Sequence, residues 1–184
     1  MRIFIAALIP EEIKLKMKRY VDEIKPFWGG VKWEGYEKLH ITLKFLGEIE
    51  ESEVNKIEKV VEKIVKSDSP FNMEVARFGG FPNLRNPRVL FIGLSQNEGL
   101  AKLQGEIEEE LGALGFKKEN RPFLPHITIG RIKGKSKLTG SLPVPERLPF
   151  FVSEIAVMRS VLRPEGSKYT PVSVFRLLNH ETRL

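Results

Sequence analysis

One tripeptide, His-Ile-Thr, occurs twice, at His40–Thr42 and His126–Thr128, and the chain around it repeats at the same interval of 86 residues. Moved forward by that interval, the opening RIFIAAL at Arg2 falls on RVLFIGL at Arg88. The apolar positions that follow coincide too: Met17 with Leu103, Val21 with Ile107, Trp28 with Leu114, and Gly29 with Gly115. Each half therefore reads as strand, amphipathic helix, connection, and a second strand carrying the tripeptide. Short periods build solenoids. A single duplication of this size instead predicts two similar lobes related by an approximate two-fold, with the tripeptide strands facing each other across a cleft.

Helices are predicted where apolar residues recur at helical spacing. The stripe Ile13, Met17, Tyr20, Val21, Ile24 and Phe27 follows Pro10 and two glutamates, which suit a helix start. A second stripe is Val54, Ile57, Val60, Val61, Ile64 and Val65; a third is Leu100, Leu103, Ile107, Leu111 and Leu114, stopped by Gly115. Strand-like runs lie between and after them: RIFIAAL, LHITLKFLG, FNMEVARFG, RVLFIGL, HITIGRIK, FVSEIAVMRSVL and PVSVFRLL. Segment 133–149, rich in Gly, Pro and Lys, is predicted to be an exposed, mobile loop.

A length of 184 residues suits one domain or two small lobes sharing a core, and 41% hydrophobic content can build that core. With no cysteine, disulfides, thiolate metal sites and cysteine nucleophiles are excluded, which fits a reducing cytoplasm. The opening MRIFIAALIPEEIK has neither a basic n-region nor a small-residue cleavage site, and reads as a strand and not a signal peptide. No apolar stretch approaches the ~20 residues that span a bilayer. A net charge of +6 points weakly to an anionic partner such as nucleic acid.

Side chains alternate along a strand, so His40, Thr42 and Lys44 share one face while Ile41, Leu43 and Phe45 share the other. In the second copy His126 and Thr128 point one way, Ile127 and Ile129 the other. The apolar faces explain folding; a His-Thr face needs another purpose. One ligand per strand is too few for a metal site, and no serine stands in a nucleophile context. His180 reads as a surface residue. Two histidines on one pocket can divide a proton transfer, one taking a proton from an attacking group while the other gives one to the leaving group. Each threonine hydroxyl can donate to a phosphoryl oxygen as charge develops there. This arrangement calls for a phosphodiester, with no metal and no covalent intermediate.

HITLKFLGE and HITIGRIK resemble the two motifs of the 2H phosphoesterase superfamily, in its LigT-like branch of RNA 2′,3′-cyclic phosphodiesterases, also called 2′-5′ RNA ligases. RIFIAALIP and RSVLRPEGSKYTPVSVFRL are similar to that branch as well, so the likeness covers nearly all of residues 1–184, with the motifs at 40–43 and 126–129. The resemblance implies an α+β, bilobal fold: pseudo-symmetric lobes with antiparallel sheets around a central cleft and helices outside. It implies opening of a terminal 2′,3′-cyclic phosphate to a 2′-phosphate with no cofactor, metal or ATP. By carry-over His40 is the proton donor to the departing 3′ oxygen and His126 the acceptor that activates water, while Thr42 and Thr128 hold phosphate oxygens. Arg131 matches a substrate-binding position after the second motif. Ideal alternation puts it on the Ile129 face, so it reaches the phosphate only if a bulge or twist re-aims it.

The expected partner is RNA with a 2′,3′-cyclic phosphate end, tRNA fragments among the candidates, acted on by a monomer away from membranes. Two alternatives use the same residues: joining of the cyclic end to a 5′-hydroxyl as a 2′-5′ linkage, or an RNA-end binding module whose catalysis has lapsed. Trp33 and Tyr36 are candidates for stacking on a base, whereas Phe45 is expected in the core.

Overall fold

The computed structural model describes residues 1–136 and 138–178, so His180 lies outside the described residues. In chain order the elements are β1 (Arg2–Leu8), α1 (Glu11–Ile24), β2 (Val31–Trp33), β3 (His40–Glu48), α2 (Glu51–Val65), β4 (Phe71–Phe81), β5 (Val89–Leu94), α3 (Glu98–Ala113), β6 (His126–Ile132), β7 (Pro149–Val152), β8 (Glu154–Arg163) and β9 (Gly166–Arg176). The strands form two antiparallel sheets, ordered β3-β1-β8-β9 and β2-β6-β5-β4-β7. Among the described residues no helix is long and apolar enough to cross a membrane.

The helical stripes are the buried faces. α1 buries Ile13, Met17, Tyr20, Val21 and Ile24; α2 buries Val54, Ile57, Val61, Ile64 and Val65; α3 buries Leu100, Leu103, Ile107 and Leu111. Asn97 starts α3 by accepting the backbone N–H of Leu100 on its side-chain oxygen at 2.9 Å. Gly115, at φ 93°, turns the chain out of the helix, and Leu114 just before it is consequently exposed, unlike the rest of its stripe.

The halves of the chain interlock. β4, which follows the first His-Ile-Thr strand, pairs with β5 of the second half, and β8, which follows the second, pairs with β1. The result is two matching strand orders, β3-β1-β8 and β6-β5-β4, each completed by a strand from the other half. The single run FVSEIAVMRSVL is in fact two strands, broken at Ser153: β7 joins β4 in one sheet, and β8 joins β1 and β9 in the other. Segment 133–149 is also more anchored than its composition suggests. Ser136 is buried and donates its hydroxyl to the Gly29 carbonyl at 2.6 Å; the Thr139 N–H donates to the Phe27 carbonyl at 3.0 Å, and Leu148 packs into the core.

Alternation breaks just after the threonine in both motif strands, and β3 shifts a second time further on, at Leu46. In β3, Ile5 faces Lys44 but Ala6 faces Thr42, leaving Leu43 as an extra residue. In β6, Leu90 faces Gly130 but Phe91 faces Thr128, leaving Ile129 as the extra one. Leu43 and Lys44 are therefore buried in succession, as are Ile129 and Gly130, and the next residues, Phe45 and Arg131, emerge on the His-Thr face. The expectations for Lys44 and Phe45 are thus exchanged: Lys44 is inside and Phe45 is 54% exposed in the cleft.

A buried ammonium needs a partner. Lys44 Nζ donates to Glu108 Oε2 on α3 at 2.6 Å and to the Lys117 carbonyl at 2.8 Å. Glu108 also accepts the Glu119 N–H at 3.1 Å and the Gln104 amide at 3.3 Å, and that amide donates to the Leu43 carbonyl at 3.3 Å. The network ties the bulge of β3 to α3 of the second half. Replacing Glu108 by Ala is expected to destabilise the protein by roughly 3–5 kcal/mol, since it strands the Lys44 charge, whereas Lys44→Met with Glu108→Leu is expected to cost far less. Urea denaturation of the three proteins checks the ordering.

Candidate active site

Both sheets contribute to one cleft of about 330 Å³. β3 supplies His40, Thr42 and Phe45, and β6 supplies His126, Thr128 and Arg131. Arg2 and Phe4 come from β1, Glu34 follows β2, and Ser160, Ser167 and Tyr169 come from the β8–β9 hairpin. All five residues named from the sequence, His40, Thr42, His126, Thr128 and Arg131, thus line the same space.

The two histidines are held alike. Nδ1 of His40 lies 2.7 Å from the Lys38 carbonyl, and Nδ1 of His126 lies 2.7 Å from the Leu124 carbonyl, each two residues upstream of its ring. A carbonyl only accepts, so each Nδ1 carries a hydrogen and donates it. In the neutral ring that leaves the Nε2 lone pair as the reactive site. Nε2 of His40 accepts the Thr42 hydroxyl at 3.1 Å; among the described residues, Nε2 of His126 has no protein hydrogen-bond partner.

Aromatic rings fix the imidazoles from the sides. His40 lies against Phe4 at 5.0 Å and edge-on to Tyr169 at 5.4 Å; His126 lies edge-on to Phe81 at 5.0 Å and to Phe91 at 5.3 Å. Gly79 makes the second wall possible, because a Cβ there would collide with the ring of Phe91.

Burial lowers the pKa of both imidazoles from 6.5. Each carbonyl hydrogen bond opposes that shift; at His40 the positive charges of Lys14, His126 and Arg131 reinforce it. Burial, helped by Glu34, raises the Tyr169 phenol above 10, so near neutral pH it is a hydroxyl donor. The bulge that re-aims Arg131 leaves its Nε 3.6 Å from Glu34 Oε1, with the guanidinium still more than half exposed. Among the described residues no group of three His, Cys, Asp or Glu side chains is placed to hold a metal ion.

The model of the LigT-like phosphoesterase family matches this chain twice, over residues 8–91 and 92–169. The chain belongs to that family. It is 36% identical to the RNA 2′,3′-cyclic phosphodiesterase of Methanothermobacter thermautotrophicus, over 96% of this chain and 98% of that one. A crystal structure from Thermus thermophilus superposes with a TM-score of 0.83 at 33% identity, covering 96% of this chain and 98% of the other. E. coli LigT complexed with 3′-AMP superposes with a TM-score of 0.81 at 25% identity, covering 97% and 98%.

Several cleft residues of this LigT-like phosphoesterase were not singled out from the sequence. Phe4, Ser160 and Tyr169 sit on segments remote from the motifs, and neither they nor Glu34, six residues before His40, have a spacing signature of their own. Phe45 could have been found by applying the repeat to Arg131, since the two stand at equivalent positions.

The lowered histidine pKa values give a pH test. The unfolded chain binds protons that the folded site resists, so the stability contributed by the neutral rings is present above about pH 6.5 and is lost as pH falls through the lower folded values. In the ligand-free protein both ring Cε1 protons are expected to titrate by NMR with midpoints below that of an unstructured histidine. A midpoint above it at either ring contradicts this.

Proposed function

We propose that this phosphoesterase opens the 2′,3′-cyclic phosphate at an RNA end to a 2′-phosphate, by two-histidine acid–base catalysis that requires no metal. The observation that carries the reading is the matched pair of histidines: each Nδ1 is tied to a carbonyl, and the two rings line one cleft with Thr42, Thr128 and Arg131.

In this reading neutral His126 takes a proton from water on Nε2 while the water oxygen attacks phosphorus. The bond from phosphorus to the 3′ oxygen breaks, and protonated His40 gives its Nε2 proton to that oxygen. The products are a 2′-phosphate and a 3′-hydroxyl, with His126 charged and His40 neutral until a proton returns through solvent. Thr42, Thr128 and Arg131 hold the non-bridging oxygens as charge builds on them. The activity named for the relatives supports the substrate class, and the roles of the two histidines follow the family resemblance. The reading takes residues 1–184 as one domain with an internal repeat. It places a monomer in the cytoplasm, acting on ends such as those of cleaved tRNA.

The test is turnover in EDTA of an RNA oligomer ending in a 2′,3′-cyclic phosphate. His40→Ala and His126→Ala are each expected to lower kcat by about 10²- to 10⁴-fold. Thr42→Val or Thr128→Val is expected to lower it by roughly 10²-fold. Wild-type rates that vanish in EDTA, or a variant without either histidine that turns over normally, would overturn the proposal. A 2′-5′ linked product formed in preference to the 2′-phosphate would move the assignment to ligation.

A further inference from the structure

Beside the cleft, two ammonium groups converge without a neutralising partner. Lys32 on β2 is directly opposite Arg131 on β6, so in this antiparallel pair their side chains share a face, the one Arg131 presents to the cleft. Lys38 lines the cleft from the turn before β3, and its carbonyl is the one that holds His40. The Lys32 and Lys38 Nζ atoms lie 3.3 and 3.7 Å from the point where a Cβ on Gly166 would stand, at the tip of the β8–β9 hairpin.

Like charges opposite each other on neighbouring strands oppose folding. Glu34 is paired with Arg131, yet among the described residues neither Lys32 nor Lys38 forms an ion pair. A cationic cluster that works against the sheet, set at the rim of a phosphodiester site, has the character of an anion-binding site.

The geometry points to a second phosphate subsite: Lys32 and Lys38 take the phosphodiester one nucleotide upstream of the reacting end, so the enzyme favours RNA strands over free cyclic mononucleotides. This rests on the reaction proposed above. A strand whose 3′ end is cyclised extends only upstream, and its nearest further negative charge is the phosphodiester on the 5′ side of the terminal nucleoside. With the reacting phosphate between His40, His126 and Arg131, that next phosphate has a cationic rim available at Lys38 and Lys32. A free cyclic mononucleotide has nothing to place there.

The test measures binding, so it does not depend on turnover. Two fluorescent oligoribonucleotides end in a 2′-phosphate, one with an ordinary last phosphodiester and one with an uncharged methylphosphonate in its place. Anisotropy gives the Kd of each for wild type, Lys32→Ala/Lys38→Ala and Lys32→Gln/Lys38→Gln. The neutral linkage is expected to weaken wild-type binding about tenfold and to leave either double variant's affinity nearly unchanged. The slope of log Kd against log salt should be smaller in the variants by about 0.7, as for one phosphate contact on a single strand. An equal penalty in all three proteins, or none in wild type, overturns the subsite. Turnover of a cyclic-ended oligomer, measured separately, tests the reaction alone: discrimination between the linkages without turnover would overturn the reaction and keep the subsite.

Discussion

A strand that alternates strictly cannot present residues 126, 128 and 131 on one side, because the third lies an odd number of steps from the others. The site depends on breaking that rule once between the threonine and the third residue after it, in both motif strands. The extra residues Leu43 and Ile129 shift the phase, so that Phe45 and Arg131 join the histidines and threonines. The cost differs between the copies. In β6 the residue turned inward is Gly130, where a Cβ would meet Val31 and Trp33. In β3 it is Lys44, whose burial is tolerable only because Glu108 and the Lys117 carbonyl receive its charge. The functional bulge and the buried ion pair are two consequences of one insertion.

The carbonyls of Lys38 and Leu124 act on the same problem from the other side. A free imidazole samples two tautomers and many ring angles, and a proton relay needs one of each. Placing the acceptor two residues upstream on the incoming chain makes orientation a local property of the backbone, repeated in both copies. Pro125 favours an extended conformation at Leu124, helping to hold its carbonyl in place. Phe4 and Tyr169 on one ring, and Phe81 and Phe91 on the other, limit the remaining motion.

The His-Thr pairs of the candidate site were legible in the sequence because they are local: His and Thr two apart, with Ile at the opposite parity, state both the strand and its two faces. The helix stripes were legible for the same reason. What alternation does not contain is phase. Nothing in LKFLG or IGRIK announces an extra residue, because a bulge is set by the register against β1 or β5. The exchange of β4 and β8 between the halves is likewise a non-local choice, and the break at Ser153 becomes visible only once its flanks join different sheets. β2 is too short at three residues to show a period, and Lys32 gains meaning only from the cross-strand position of Arg131.

The two rings are alike in tautomer but unlike in field. His40 faces the charges of Lys14 and Arg131 as well as burial, whereas burial is the cause that lowers His126. Under the proposed chemistry His40 must nevertheless be the charged partner when substrate is bound. The resolution lies in the ligand. An anionic phosphodiester placed between the rings offsets the cationic surroundings that disfavour a proton on His40, and the opposing charge is greatest where the field was most positive. Before substrate binds, both rings are therefore poised neutral, and the substrate's own charge stabilises the proton that the reaction later gives to the leaving oxygen. In that reading binding and activation are one electrostatic event, because Arg131, which resists protonation of His40 in the free protein, also lines the cleft that would take the phosphate.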